Sequence, residues 1–185
     1  MISEELTMTW KSFHNRGETL RSVIDAANSR RDGRLPLDVP GVEETFADEL
    51  ELLAALQLKW HTRLAGQIER VQMDQPMDLP ASVVRAWGLT CDEMPGVRAV
   101  LDHYREHPLD AAMAEAMRKA TLKEHAMLAV MAGRAGVLQE DVAAPIGARL
   151  EREARVGHGG PAAVPLPAEE IRPTLLERLR QALAA

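Results

Sequence analysis

The sequence predicts an all-α fold, a helical bundle of about four to six helices with two long central helices. Three observations predict it. Aromatic residues make up only 3% of the chain although 46% of it is hydrophobic, so the aromatic-rich alternation that builds strands is scarce. Apolar residues recur at three- and four-residue steps in segment after segment, the spacing of one helix face. Glycine and proline fall between those segments. At 185 residues the chain suits one domain rather than two.

In chain order, Asn15 and Glu18 can cap the start of a first helix with Leu20, Val23, Ile24 and Ala27 as its stripe, and Asp32-Gly33 ends it. Pro40 suits a first helical turn. A long helix is then expected over 42–71, with Val42, Phe46, Leu50, Leu53, Trp60, Leu64, Ile68 and Val71 on one side. It would measure about 45 Å. Asp78 can cap a short helix bearing Val83, Val84 and Trp87, which Gly88 closes. Thr90 to Glu93 has the form of a capping box, and a helix from about residue 95 carries Val97, Val100, Leu101 and Tyr104.

Pro108 precedes the second long helix, over 109–134, with Leu109, Met113, Ala116, Met117, Ala120, Met127, Leu128 and Met131 as its stripe. A further helix over 139–156 would place Val142, Ile146, Leu150 and Ala154 inside, with alternating arginine and glutamate outside. The expected organisation is a bundle domain over 1–156 and a Gly/Pro-rich linker over 157–168. A short C-terminal amphipathic helix over 169–185, with Leu175, Leu176, Leu179 and Leu183 on one face, would dock on the bundle or on a partner.

Charge and motif content narrow the function classes. The net charge of −6 gives no general attraction to phosphate backbones or anionic lipid, so neither a nucleic acid nor a membrane is expected as partner. No phosphate-binding glycine loop or nucleophile elbow is present. Cys91 is the only cysteine and reads as a small core residue. The start MISEELTM lacks the basic region and apolar run of a secretory signal, and no stretch has the ~20 apolar residues of a membrane span. A cytoplasmic protein is expected.

Among the histidines, His103 and His107 have the i, i+4 spacing that lets two imidazoles share a metal, and His61 can add a third. That set resembles the three-histidine arrangement of DinB-like bundles, a resemblance that implies a divalent metal. The paired Glu-x-x-His of ferritin-like sites does not occur. Glu49 and Glu124 complete the candidate ligand set of His61, His103, His107, Glu49 and Glu124. His61 lies about 60° from the centre of its helix's apolar face, and His125 points away from the stripe of its own.

Glu124 is the residue the pattern does not absorb, because helical spacing places it on the apolar face with Met117, Met127 and Leu128. An unpaired carboxylate there is too costly, so it must be protonated or meet donors. Gln57, the Trp60 indole N–H and His61 fall on the facing side of the first long helix, with Gln67 flanking them. A buried polar layer of Glu124, Gln57, Trp60 and His61, setting register between the two rods, is therefore expected. The function expected is non-enzymatic: self-association, as a homodimer, or contact with another protein through helical faces, with no cofactor. The alternative is a small metal- or ligand-binding bundle of DinB-like or ferritin-like type using the histidines and glutamates above.

Overall fold

The computed structural model describes residues 2–137 and 139–159, with side chains from Arg16 onward except those of residues 140 and 141. The described residues form seven helices and no strand: α1 (Ile2–Arg30), α2 (Val42–Thr45), α3 (Glu49–Asp74), α4 (Leu79–Glu93), α5 (Pro95–Glu106), α6 (Ala111–Met131) and α7 (Glu140–Gly157). The chain is thus an all-helical bundle. The expected C-terminal helix over 169–185 lies outside the described residues.

Two long rods, α3 and α6, are present, but the first is shorter at its start than the apolar stripe suggests. After the single turn α2, Phe46 is extended (φ −120°, ψ 131°), and α3 begins only after Asp48. The cause is local. The Asp48 carboxylate accepts from Glu51 N–H at 2.7 Å, while the Glu51 carboxylate accepts from Ala47 N–H at 2.7 Å. These two bonds satisfy donors that a helix start would otherwise leave orphaned. Phe46 stays on the apolar side by packing at the bend, buried with the Arg16 guanidinium 4.6 Å over its ring.

Three other boundaries differ from expectation. α1 begins at Ile2 rather than near Asn15, in a stretch that contains neither glycine nor proline before Gly17. α4 runs through Gly88 to Glu93, and Thr90 is no cap: fully buried, it donates its hydroxyl to Ala86 O at 2.7 Å. α6 starts after Asp110, whose carboxylate accepts from Met113 N–H at 2.7 Å, and this leaves Leu109 outside the helix and 61% exposed. Val142, expected inside, is also exposed.

The core is built on α3, whose Leu52, Leu53, Leu56, Trp60, Leu64 and Ile68 are essentially inaccessible. Each such side chain contributes about 1.5–3 kcal/mol by leaving water. Val83 and Trp87 of α4, Val97 and Leu101 of α5, and Leu128 of α6 close over it. Two glycines let helices cross closely. A Cβ on Gly96 would lie 1.8 Å from Ala27 O, and one on Gly147 would lie 1.9 Å from His125 O. At the first crossing the Asn28 side-chain oxygen accepts from Gly96 N–H and Val97 N–H, so α1 caps α5 across the interface.

The rods α3 and α6 run in the same direction. Gln57 and His61 meet Glu124, and further along both helices Gln72 donates to Met131 O at 2.6 Å. They do not bury their full faces in one another, because α6 packs chiefly on α7 and α3 on α4. A groove is left between them.

Candidate functional site: a buried charge cluster beneath the α3/α6 groove

Glu124 is 4% exposed and is reached from two other helices. From α3, the Gln57 amide donates to Oε2 at 3.4 Å, and His61 Nε2 lies 3.2 Å from the same oxygen. From α5, Arg98 donates to Oε1 at 3.4 Å. Burial, the largest single influence, raises the Glu124 pKa. The Arg98 charge and the His61 hydrogen bond outweigh it and hold the carboxyl at about 2, so Glu124 is ionised.

The imidazole and the amide compete for one geometry. Gln57 Nε2 is 2.9 Å from His61 Nε2, which can accept from that amide only when the ring proton sits on Nδ1. When Nε2 is protonated it donates to Glu124, and Gln57 turns its carbonyl toward the ring and gives up its own bond to Glu124. The layer therefore has two proton arrangements, which differ in the way the Gln57 amide faces.

Trp60 belongs to this layer by its ring face and not by its N–H. The Arg98 guanidinium stacks 4.9 Å over the indole, whereas the indole N–H has no hydrogen-bond partner among the described residues. Trp60 also meets Trp87 edge to face at 6.0 Å, and Arg155 stacks 5.0 Å over Trp87. Gln67, read from sequence as a flank, is buried with its carbonyl unpartnered.

Behind Arg98 the charges continue. Arg98 donates to Asp102 at 2.8 Å, Asp102 accepts from Arg105 at 3.1 Å and from Arg155 at 2.6 Å, and Glu151 accepts from Arg105, Arg155 and His125. Asp102 and Glu151 both sit below their ordinary pKa values; burial opposes this, and Arg98 above all for Asp102, and His125 above all for Glu151, overcome it. Three carboxylates face three guanidiniums, and the cluster is neutral when both imidazoles are. The glutamate and arginine expected on the outer face of α7 thus include two that turn inward, Glu151 and Arg155. His125, expected to point away from the core, is half-buried against Glu151.

Of the five ligand candidates, the structure brings His61 to Glu124 and His103 to His107 but gathers no three of them. His103 and His107 stack on one another at 5.2 Å on the exposed side of α5, with His103 against Gly33. Glu49 is twelve residues before His61 on the same helix, about 18 Å away. Among the described residues no three histidine, cysteine, aspartate or glutamate side chains gather as a metal site. Cys91 is buried, and burial pushes its thiol up to about 12, so it stays a protonated thiol at neutral pH.

Above the layer lies the α3/α6 groove, a cavity of about 330 Å³. Leu50, Leu53, Ala54 and Leu58 form one wall, Met117 and Ala120 the other, Gln57 and His61 the floor, and Lys119 and Lys123 edge the α6 side. His61 is thus the member of the charge cluster that meets both Glu124 and the groove. No helix among the described residues is long and apolar enough to cross a membrane. Comparison with protein-family models, curated proteins and solved structures finds no match to this chain.

Proposed function

We propose that this bundle is a non-enzymatic cytoplasmic protein that acts through contact with another protein, and that the α3/α6 groove is its contact face. One observation carries the reading. Two rigid helices hold an apolar groove open to solvent, with Leu58 68% exposed at its edge, directly above a layer of buried charge. A groove between two long helices is the receptor half of helix-in-groove recognition, in which an amphipathic helix lays its apolar face along the trough. The small side chains of Ala54, Ala116 and Ala120 leave room for a third backbone to approach.

The chemistry beneath the groove favours binding over catalysis. Glu124 is held ionised by donors, so it has no proton to give at neutral pH, and Arg98 is committed to Glu124 and Asp102. A cluster so closely neutralised fixes the two helices at one register, which keeps the groove's shape constant.

A photo-crosslinking residue introduced at Ala54, compared with one at exposed Glu106, tests the assignment in cells that make the protein. The expected result is an adduct to a defined protein from position 54 that disappears when Ala120 is also replaced by Trp. Identical adducts from both positions, or none from 54, would refute the assignment.

A further inference from the structure

The groove has a length, an openness and a charge, and together they specify an occupant. Its α3 wall runs from Leu50 to His61, eleven residues or about 16 Å, which matches three turns of helix and anchors at i, i+3, i+7 and i+10. A small molecule is poorly served here, because pockets for such ligands enclose most of the ligand surface, whereas Leu58 and both lysines stand exposed.

The charge is the more selective feature. The chain carries a net charge of −6, yet the charged side chains lining the groove are the two lysines. Lys123 has no ion pair or side-chain hydrogen bond among the described residues. Lys119 lies 3.3 Å from Glu115, but Arg118 already holds both Glu115 oxygens at 2.8 Å, which leaves the lysine free to turn to a new carboxylate. The two lysines are one helical turn apart, about 6 Å along one edge.

These signs argue against the chain's own surfaces as occupant. Two copies joined groove to groove by a two-fold axis across the groove would set lysine against lysine, and an axis along it would set the lysines against the apolar α3 wall, with no carboxylate for them in either case. The C-terminal segment 169–185 sets three acids, Glu169, Glu170 and Glu177, against arginine at 172, 178 and 180, so it brings no net negative charge, and no two of its acids stand one helical turn apart to match the lysines.

We infer that the groove receives an acidic amphipathic helix of about three turns from a different protein, seated on its apolar face with two carboxylates one turn apart on Lys119 and Lys123. The inference rests on the groove being the contact face, and its test separates the two ideas.

The probe is a fluorescein-labelled designed peptide of about four turns, with leucines at i, i+3, i+7 and i+10 and two flanking glutamates one turn apart, read by anisotropy on the full chain. A matched peptide has lysines in place of those glutamates. The acidic peptide is expected to bind about tenfold more tightly than its lysine twin, and the order to reverse in the Lys119→Glu/Lys123→Glu variant, whose changes are exposed and leave the fold intact. Ala54→Trp, which fills the groove, is expected to abolish binding of both peptides. Equal affinities for the two peptides overturn the acidic preference but not the groove. Binding that survives Ala54→Trp overturns the groove itself, and no binding of either peptide overturns the helical occupant.

Discussion

Glu124 and Glu151 are both buried glutamates at helix interfaces, and their surroundings differ in a way that separates a lock from a floor. Glu151 is 5% exposed and is gripped at short range: 2.6 Å from His125, 2.7 Å from Arg155 and 3.0 Å from Arg105. Charge-assisted bonds of that length are the strong ones. Glu124, equally buried, has its partners at 3.2–3.4 Å, and two of them, Gln57 and His61, also line the groove. The tight carboxylate ties α7 to α5 and α6. The loose one joins α3, α5 and α6 where the molecule opens outward. Arg98 stands between them, bonded to Glu124 and Asp102, and through Asp102 linked to the arginines that hold Glu151.

The largest effect should come from removing that link. Arg98→Ala leaves Glu124 without its cation in an apolar interior and strips the guanidinium from the Trp60 ring. A loss of about 3–5 kcal/mol in unfolding free energy is expected, measured by urea titration. The paired replacement Arg98→Met with Glu124→Leu removes both charges together and should recover most of that loss. If the pair were as damaging as the single change, the cost would lie in packing and not in charge.

Acid should act next, through carboxylates held ionised. Glu124 is at about 2 in the folded chain and near 4.5 when unfolded, so its contribution is complete above pH 4.5 and disappears as the pH falls toward 2. The shift corresponds to about 3 kcal/mol as an upper figure. Asp102 and Glu151, also lowered, steepen the fall in the same direction. Urea midpoints measured from pH 6 down to pH 2 should decline across this window, and Glu124→Gln should flatten part of the decline. A profile unchanged by that variant would mean that Glu124 has no ionised partner in solution.

The two glutamates can also be compared directly. Glu151→Gln gives up four short charge-assisted bonds from three side chains, and Glu124→Gln three long ones, so the first should cost more, by about 1 kcal/mol. The reverse order would show that depth outweighs bond length here, and the distinction between lock and floor would fail.

Much of this architecture is legible in the residues, and the parts that are not share a physical reason. The helical period alone puts Leu53, Trp60, Leu64 and Ile68 on one face, and it puts Glu124 on the apolar face of α6, because both follow from counting along a single helix. The break at Phe46 escapes that count, since Phe46 keeps the stripe's spacing while Asp48 and Glu51 cap a new helix beneath it. That Asp-x-x-Glu was a readable signal for the later start. Arg98, Asp102, Arg105, Glu151 and Arg155 are harder to place. Each lies beside an apolar stripe, where charged residues usually face water, and whether they turn inward depends on how α5 and α7 are rotated against other helices. Periodicity along one chain does not contain that rotation. The partners of Glu124 on α3 follow from two counted faces meeting, whereas its cation on α5 does not.

The smallest effects should fall on the two histidines, and they sharpen the same contrast. His125 lies 2.6 Å from Glu151 with its side chain 13% exposed, and His61 lies 3.2 Å from Glu124 at 21%. Replacing each by Gln keeps a donor but removes the ring and its capacity for charge. His125→Gln should lower stability by about 1 kcal/mol, and His61→Gln by about half as much, since a longer bond beside solvent is more easily replaced by water. The groove should respond in the opposite order. His61 forms its floor, so His61→Gln should alter the anisotropy titration with the acidic peptide while leaving the unfolding curve nearly in place, and His125→Gln should do the reverse. If both variants shifted stability and peptide affinity in the same proportion, the groove and the lock would be a single unit, and the separation drawn between Glu124 and Glu151 would be lost.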